Sequence, residues 1–413
     1  MQTQLAESLK DTADGQEADA ILRKCVHCGF CTATCPTYQV TGNELDSPRG
    51  RIYLIKQMLE GEPVTAETQG HLDSCLTCRN CESTCPSGVQ YGHLVDIGRK
   101  IVNERVPRSR TDRFKRAVLK EVIGSPAFNL AMQAGQALRP MLPAGLAAKV
   151  PTRRPAGNVR AAKHARNVLI LAGCVQPAMI PAIDAATIRV LDAIGVGVRV
   201  AAGSGCCGAV RFHLDDQEGA KTQMRANIDA WWPDIEAGTI DAIVMNASGC
   251  GAMVREYAHH LRHDPVYSGK AIRVSDMVRD IAEIIAPHAD ALRPRVTAGL
   301  PAGSTGRVAF HPPCTLQHWQ RLRPVTEKLL VDLGLTLQPF TDSHLCCGSA
   351  GTYSVLQPAM AGELRRRKLD AIEAGDPEMI LSSNIGCLTH LQGGTKIPVR
   401  HWVELVDTAL AAG

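Results

Sequence analysis

The chain has 413 residues, of which 45% are hydrophobic, so two or three domains with sizeable cores are expected. Its formal net charge of +4 is too small to favour nucleic-acid binding. It contains 16 cysteines, begins with a polar and acidic stretch, and has no apolar run of about 18 residues. We therefore expect a protein of a reducing compartment, with cysteines that bind metal and no segment that crosses a membrane.

Two cysteine runs of identical spacing lie within the first 105 residues. Each reads Cys-x2-Cys-x2-Cys-x3-Cys-Pro, and their cysteines are Cys25, Cys28, Cys31 and Cys35, then Cys75, Cys78, Cys81 and Cys85. Three thiolates at this spacing bind one iron–sulfur cube, and the fourth, before the proline, binds the neighbouring cube. The spacing therefore predicts two [4Fe–4S] clusters, one on Cys25, Cys28, Cys31 and Cys85 and the other on Cys75, Cys78, Cys81 and Cys35.

Other uses of these cysteines fit the spacing less well. Structural zinc sites usually combine two Cys-x2-Cys pairs separated by a dozen or more residues. Eight cysteines in two tight runs cannot all satisfy disulfide geometry. Bound clusters carry negative charge, and five nearby cations either offset it or lie in solvent: Arg23, Lys24, Arg49, Arg51 and Arg79.

Three helices are predicted around the two runs. Glu17–Lys24 leads into the first run, and Val89–Val102 leaves the second. Between them, Arg49–Glu60 has apolar residues at helical spacing and is expected to pack between the cysteine loops. Residues 1–105 are therefore predicted to form a mostly helical ferredoxin-type domain.

A linker region follows. Residues 106–150 are rich in Arg, Ala and Pro, with apolar stretches at Val118–Ile123 and Phe128–Leu138. These stretches predict an amphipathic pair of helices, which packs on its own domain or lies on a membrane surface or a partner. Residues 151–166 are basic, include Lys163, and complete the predicted linker of residues 106–166.

The rest of the chain contains an internal duplication. Its cysteines are Cys174, Cys206, Cys207 and Cys250 in the first copy and Cys314, Cys346, Cys347 and Cys387 in the second. In both copies the first two cysteines are equally far apart, and the adjacent pair is followed by glycine. The tetrapeptide Ile-Glu-Ala-Gly also ends at the same distance before the last cysteine of each copy.

Each copy alternates strands and helices. The predicted strands are Val168–Ala172, Val196–Val200 and Ala242–Met245, then Val308–Phe310, Leu335–Phe340 and Met379–Leu381. Parallel α/β sheets place their ligands at the C-terminal ends of strands, where these cysteines fall. We therefore predict an α+β multidomain chain, with a helical two-[4Fe–4S] domain followed by α/β Cys-Cys-Gly repeats at residues 167–296 and 297–413.

The eight repeat cysteines form a candidate additional site. Either each half holds a further iron–sulfur cluster or metal ion, or the cysteines are small buried residues that close the interface between the halves. Three residues after its last cysteine, the first copy has Met253 and the second has His390. His390 is a candidate ligand or proton carrier, whereas Met253 is expected in the core.

Several segments together carry a family resemblance. They are Cys25–Thr37, Pro48–Arg51, the second cysteine run, Ala230–Pro233, and the two Cys-Cys-Gly repeats, including Asp342–Tyr353. Together they cover almost the whole chain, and they resemble the iron–sulfur subunits of bacterial glycolate oxidase. Related families serve anaerobic glycerol-3-phosphate dehydrogenase, lactate utilisation and heterodisulfide reductase. Heterodisulfide reductase-type repeats end in Cys-x2-Cys and hold non-cubane clusters; the last of those cysteines is absent here, so these clusters are not carried over.

The resemblance implies an electron-transfer subunit. Flavin-containing partner subunits, which hold FAD, would oxidise glycolate to glyoxylate, and this chain would pass electrons through its two clusters to a quinone-type acceptor. No strand-linked Gly-x-Gly-x-x-Gly stands out, so no flavin site and no catalytic residue is assigned to this chain. It is expected in the cytoplasm, or peripherally on the cytoplasmic face of the inner membrane.

Three alternatives remain open. In the first, the donor is a related lactate or glycerol-3-phosphate dehydrogenase, and the chain keeps the same electron-transfer role. In the second, the Cys-Cys-Gly repeats themselves reduce a disulfide or a quinone, using Cys346, Cys347 and His390. In the third, the repeats are a docking scaffold for the flavin subunits.

Overall fold

The computed structural model describes residues 1–143, 147, 150–159, 164–300 and 307–413. Part of the predicted linker, including Lys163, and residues 301–306 of the predicted second repeat lie outside these ranges. The chain forms two compact units. The N-terminal unit comprises Met1–Ala117 and His344–Lys368, and the repeat unit comprises Val118–Ser343 and Leu369–Gly413. A segment of the predicted second repeat therefore belongs to the same unit as the two cysteine runs.

The N-terminal unit is built from helices. They are Glu7–Lys10, Ala13–Lys24, Phe30–Ala33, Pro36–Thr41, Pro48–Leu59, Ala66–Asp73, Asn80–Thr84, Tyr91–Arg105 and Tyr353–Leu356, with a 3-10 turn at Glu44–Asp46. Two longer helices, Arg110–Val122 and Pro358–Glu373, extend past its boundaries. All three helices predicted around the cysteine runs are confirmed, each within a few residues of its predicted ends.

The core of this unit lies between the Pro48–Leu59 and Tyr91–Arg105 helices. Ile55 and Leu94 are fully buried there. Gly98 allows the helices to approach closely, since a Cβ atom at this position would lie 2.8 Å from a side-chain carbon of Ile55. Ser47 fixes the start of the first helix, because its hydroxyl accepts a 3.0 Å hydrogen bond from the amide of Gly50. Both helices are thereby positioned beside the cysteine loops.

In the described part of the repeat unit, seven strands form two parallel sheets. They are β1 (Arg166–Ile170), β2 (Val196–Arg199), β3 (Ala242–Met245), β4 (Val278–Asp280), β5 (Val308–Phe310), β6 (Met379–Ser382) and β7 (Val399–His401). The first sheet has the order β2-β1-β3-β4 and the second has the order β5-β6-β7. The predicted fold class, with a helical first part and a duplicated α/β second part, is confirmed.

Helices of the repeat unit connect and cover these strands. They are Pro126–Ala137, Val175–Met179, Ala182–Ala193, Ala209–His213, Gln217–Glu236, Ser248–Arg255, Tyr257–His260, Ser268–Met277, Ile281–Ile285, Ala289–Gly299, Arg323–Asp332, Ile385–Gln392 and Trp402–Ala412. A π-helical turn lies at Thr315–Trp319, and 3-10 turns lie at Arg139–Met141 and Ala286–His288. Among the described residues, no helix is both long and apolar enough to span a bilayer.

One predicted strand is wrong. Leu335–Phe340 forms only a single parallel bridge, between Leu337 and Val308, and not a full strand. The amide of Gln338 donates to the carbonyl of Val308 at 2.8 Å, and this contact forms the bridge. Leu335 is buried, and Leu337 and Phe340 are partly buried, so the apolar pattern of the segment reflects packing and not a full strand.

The last strands of the two sheets end in matching helix caps. Asp280 ends β4 and caps Ile281–Ile285, and His401 ends β7 and caps Trp402–Ala412. In both caps a glutamate three residues later accepts a hydrogen bond from the backbone of the capping residue, which makes a capping box. The duplication thus extends beyond the cysteines.

Candidate metal centre

The two cysteine loops share one backbone conformation. His27 and Gly29 have φ values of 55° and 84°, and the equivalent residues Thr77 and Arg79 have values of 52° and 57°. These left-handed residues flank the second cysteine of each run, and a short helix begins directly afterwards. Left-handed backbone costs a non-glycine residue about 1–2 kcal/mol, so three such residues in two loops indicate a shape that other interactions must support.

Four cysteines of the first predicted set line one pocket. We call Cys25, Cys28, Cys31 and Cys85 the first cradle. The pocket has a volume of about 440 Å³ including its open mouth, and Cys81 of the other set also reaches its wall. Cys28 is exposed, and the neighbouring Val26 and Phe30 side chains are 67% and 61% exposed. Cys85 is thus brought beside the first run, although it belongs to the second.

In the first cradle, burial and mutual repulsion disfavour the deprotonated form of the cysteines unless a bound cation compensates the negative charge. Burial raises the pKa of Cys31 to about 11, and the negative charges of Cys25, Cys28 and Cys85 add to this shift. Metal ions bind thiolates and compensate their charge. Four converging sulfur donors of this kind fit an iron–sulfur cluster.

The other predicted set is more deeply buried. We call Cys35, Cys75, Cys78 and Cys81 the second cradle. Burial raises the pKa of both Cys35 and Cys81, and each of them is also raised by the charge of Cys78. Cys75 accepts a 3.4 Å hydrogen bond from the amide of Thr77. The second cradle therefore offers the same donor chemistry as the first in a drier environment.

Two hydroxyl groups approach the sulfurs of the second cradle. The Thr37 hydroxyl oxygen lies 3.2 Å from the Cys35 sulfur. The Tyr91 hydroxyl donates to the Cys75 sulfur at 3.7 Å, and Tyr91 is buried. Sequence reasoning missed both residues, because neither lies in a ligand position of the cysteine motif.

Two buried arginines also support the second cradle. The Arg51 side chain is 1% exposed; it donates to the carbonyl of His71 at 2.7 Å and to the hydroxyls of Ser74 and Thr37 at 2.7 and 3.2 Å. Burial would lower the pKa of Arg51, but negative charges nearby, including those of the cradle cysteines, raise it on balance. Arg99 donates to the carbonyl of Cys75 at 2.5 Å. Arg51 was among the cations expected near the clusters, whereas Arg99 was missed.

The remaining expected cations lie in different settings. Arg49 forms a 2.7 Å ion pair with Glu44 and lies near Gly29 of the first loop. Arg23 pairs with Asp19 four residues earlier on the same helix, and Lys24 donates to the side chain of Gln90. Arg79 is buried and lies 3.9 Å from Glu82.

The segment His344–Lys368 contacts the second cysteine loop. The side-chain amide of Asn80 donates to the carbonyls of Thr34 and His344, at 3.0 and 3.1 Å. The hydroxyl of Tyr353 donates to the carbonyl of Ser74 at 3.0 Å. This segment, which the sequence assigned to the second repeat, therefore braces the residues around the second cradle. The sequence could not predict the contact between Asn80 and His344, because more than 260 residues separate them.

The four cysteines of the first repeat form a second concentration of thiols. Cys174, Cys206 and Cys250 follow the C-terminal ends of β1, β2 and β3, as predicted for ligands of a parallel sheet. The Cys174 and Cys206 sulfurs lie 3.3 Å apart. Hydrogen bonds from the Cys174 and Cys207 thiols lower the pKa of Cys206, and hydrogen bonds with Cys206 and Cys250 raise that of Cys207. The Cys206 carbonyl accepts from Asn227 at 2.8 Å, which holds this turn in place.

The cysteines of the second repeat divide between the two units. Cys314 and Cys387 belong to the repeat unit, Cys314 just after β5 and Cys387 on the Ile385–Gln392 helix with His390. Cys346 and Cys347 belong to the N-terminal unit and are both buried. Met253 is 2% exposed in the core of the repeat unit, as expected for a packing residue.

Comparisons with known proteins identify both parts of the chain. A 4Fe-4S dicluster domain matches residues 21–89, which contain every cysteine of the two cradles. A cysteine-rich domain matches residues 168–255 and again 308–392. A glycolate oxidase iron-sulfur subunit of Escherichia coli strain K12 is 52% identical over 412 residues, which cover 99% of both chains. The chain belongs to this family of iron–sulfur subunits.

More distant relatives share the family pattern. A probable glycolate oxidase iron-sulfur subunit of Bacillus subtilis strain 168 is 27% identical, over 95% of this chain and 92% of that protein. A lactate utilization protein A of an Exiguobacterium species is 25% identical, over 58% of this chain and 97% of that protein. Membership of the family and the matched 4Fe-4S domain show that this chain is an iron–sulfur cluster protein.

Proposed function

We propose that this chain is the electron-transfer subunit of a multi-subunit glycolate oxidase, with one [4Fe–4S] cluster in each cradle. The observation that carries the proposal is the pair of four-cysteine cradles, each drawing three cysteines from one loop and a fourth from the other. The 52% identity to a glycolate oxidase iron-sulfur subunit over nearly the full length supports the substrate. A [4Fe–4S] cluster, when bound, accepts and releases one electron at a time.

The residues of this chain would bind the clusters and adjust their reduction potentials. The cradle cysteines would bind iron, and the left-handed loop residues would keep the sulfurs converging. Arg51 and Arg99 would offset negative charge in the second cradle. The exposed Cys28 and the open pocket would leave the first cradle accessible to an electron-exchange partner.

The partners are part of the proposal. Oxidation of glycolate to glyoxylate removes a hydride, which is flavin chemistry, so we assign FAD to the partner subunits. Electrons would leave this chain for a quinone-type acceptor. Because some relatives are lactate utilization proteins, lactate is the main competing substrate to test, and glycerol-3-phosphate is a further comparison.

Co-expression with the flavoprotein subunits tests this function. The purified complex should reduce an artificial dye with glycolate, and faster than with L-lactate or glycerol-3-phosphate. Cys81→Ser should stop this transfer beyond the flavin, while flavin reduction by glycolate continues in a stopped-flow measurement. Dye reduction driven only by lactate or glycerol-3-phosphate would contradict the assigned substrate, and an unaffected Cys81→Ser complex would contradict the electron path.

We also propose an additional iron or metal site at Cys174, Cys206, Cys207 and Cys250, supported by the close approach of their thiols. The second-repeat set of Cys314, Cys346, Cys347, Cys387 and His390 stays a prediction. Metal analysis separates these proposals, because two cubes require about eight irons per chain and an occupied further site requires more iron or a second metal. The alternative, reduction of a disulfide or quinone by the repeats, requires that Cys346→Ser abolish turnover with both cubes intact.

For its location, we propose the cytoplasm with peripheral contact to the inner membrane. The Arg110–Val122 helix supports this, since it is basic and exposes Phe114, Val118 and Val122 at successive turns. Flotation of the full chain with anionic phospholipid vesicles tests the contact. Phe114→Glu should abolish flotation, and equal flotation of the variant would contradict it.

A further inference from the structure

The motif Pro48-Arg49-Gly50-Arg51 directs one arginine towards each cradle. Gly50 is required where the helix begins, because a Cβ atom there would overlap the carbonyl oxygen of Glu44. Arg49 extends towards the first loop, where a guanidinium nitrogen lies 2.9 Å from the position of a Cβ atom on Gly29. Arg51 extends towards the second cradle and contacts Thr37 and Ser74, the neighbours of its cysteines.

The two arginines differ in how far their charge is screened. The Arg49 side chain is 35% exposed and forms an ion pair with Glu44, so water and a carboxylate weaken its field. Arg51 is almost wholly buried, and its nearest carboxylate, Asp46, lies 3.5 Å away. Asp46 is in turn shared with His71 and Ser74, which both lie 2.9 Å from the same oxygen.

The second cradle holds further groups that favour negative charge. Arg99 adds a second buried guanidinium, bonded to the carbonyl of Cys75 and to the hydroxyl of Thr77. The buried Tyr91 hydroxyl donates to the Cys75 sulfur. Hydrogen bonds to sulfur and buried cations both favour the reduced form of an iron–sulfur centre, because reduction adds one negative charge. Burial by itself disfavours the added negative charge, as it does for the cradle thiolates, but the same weak screening makes the guanidinium and hydroxyl contributions larger than at the exposed first cradle.

We infer that the second cradle has the higher reduction potential, so an electron received at the exposed first cradle passes to the second and resides there. The inference rests on the proposed function and adds a direction to it. The step transfers one electron, oxidises the first centre and reduces the second, and breaks no bond. Arg51 acts through its positive charge, which stabilises the reduced second centre, and it binds no iron itself.

Redox titration of the purified full chain, followed by electron paramagnetic resonance, tests this order. Arg51→Gln should lower the potential of the higher-potential signal, with at least a tenfold change in electron distribution, which is about 59 mV for one electron. Arg51→Lys should restore most of that shift. Arg49→Gln, the matched control from the same motif, should move the other signal, and by less.

A second variant covers the case in which Arg51→Gln fails to fold. Tyr91→Phe removes one hydroxyl beside Cys75 and should shift the same high-potential signal downwards by a smaller amount. The inference is overturned if Arg51→Gln or Tyr91→Phe shifts the lower-potential signal, both signals equally, or neither. A wild-type chain that lacks iron and both signals defeats the proposed function instead, so the two failures are distinguishable.

Discussion

The N-terminal unit and the repeat unit both gather cysteines, but they do so by different means. In the N-terminal unit, three cysteines of each cradle lie within seven residues of chain, and matching left-handed turns set their local shape. In the repeat unit, the four thiols of the first copy come from segments that follow three different strands, with Cys250 on the Ser248–Arg255 helix, so only the assembled sheet brings them together. This contrast shows that local sequence sets the three-cysteine part of each cradle, whereas the repeat site, like the fourth cysteine of each cradle, depends on packing between distant segments.

The largest expected effect separates the two sets of cysteines. Cys81→Ser should remove about four irons per chain, since it disrupts one of two four-iron clusters. Cys85→Ser should remove the paramagnetic signal of the first cradle, although Cys85 lies in the second run. Cys250→Ser, the control in the repeat unit, should leave both cradle signals unchanged. Loss of a cradle signal in the control would break the distinction.

Within the repeat unit, the equivalent caps Asp280 and His401 should respond to acid in opposite directions. Burial lowers the pKa of His401 to about 3 in the folded state. In the unfolded state the imidazole is protonated below a pH of about 6.5, whereas in the folded state it stays neutral until about pH 3. His401 should therefore cost stability as the pH falls from 6.5 to 3, on the order of 4 kcal/mol in total.

Burial raises the pKa of Asp280 to about 7, so its folded form binds a proton that the unfolded form releases above about 4. Asp280 should therefore add stability as the pH falls from 7 to 4. Urea unfolding between pH 4 and 7 checks both signs. His401→Asn should flatten the acid-side loss and Asp280→Asn should deepen it; unchanged pH profiles would contradict the assignment.

Met253 offers a test of the repeat unit alone. Met253→Ala should destabilise the unit by about 2–5 kcal/mol, because this side chain fills the core. The control Val331→Ala removes an exposed side chain and should change stability by less than about 0.5 kcal/mol. Iron in the cradles should stay the same in both variants. Equal urea midpoints would show that Met253 does not act through packing.

The smallest expected effect lies in the helix between the cysteine loops. Gly50→Ala should destabilise the N-terminal unit by about 1–3 kcal/mol, because the added methyl group overlaps Glu44. Gly70→Ala, in the Ala66–Asp73 helix with open space around its Cβ position, should instead stabilise by about 0.5–1 kcal/mol. The urea midpoint of iron release from the full chain compares the two. A Gly50→Ala midpoint at or above that of the wild type would contradict the close contact.

Much of the fold, and the grouping of the eight cysteines into two cradles, could be predicted from the sequence. The cysteine spacing is local information, and apolar periodicity predicted the helices that flank the loops. The strand at Leu335–Phe340 was wrong because an apolar, partly buried segment can pack beside a strand through a single bridge without forming a ladder. Arg99, Tyr91 and the bracing by Tyr353 could not be predicted, since each contact joins residues distant in sequence through backbone groups or a single sulfur.

Iron and acid-labile sulfide analysis of the full chain, prepared without oxygen, decides whether two iron–sulfur cubes are bound, together with electron paramagnetic resonance after reduction. We expect about eight irons or more per chain, about eight acid-labile sulfides from the two cradles, and two paramagnetic centres. A folded, active chain that contains zinc or no metal, and shows no such signal on reduction, would contradict this expectation.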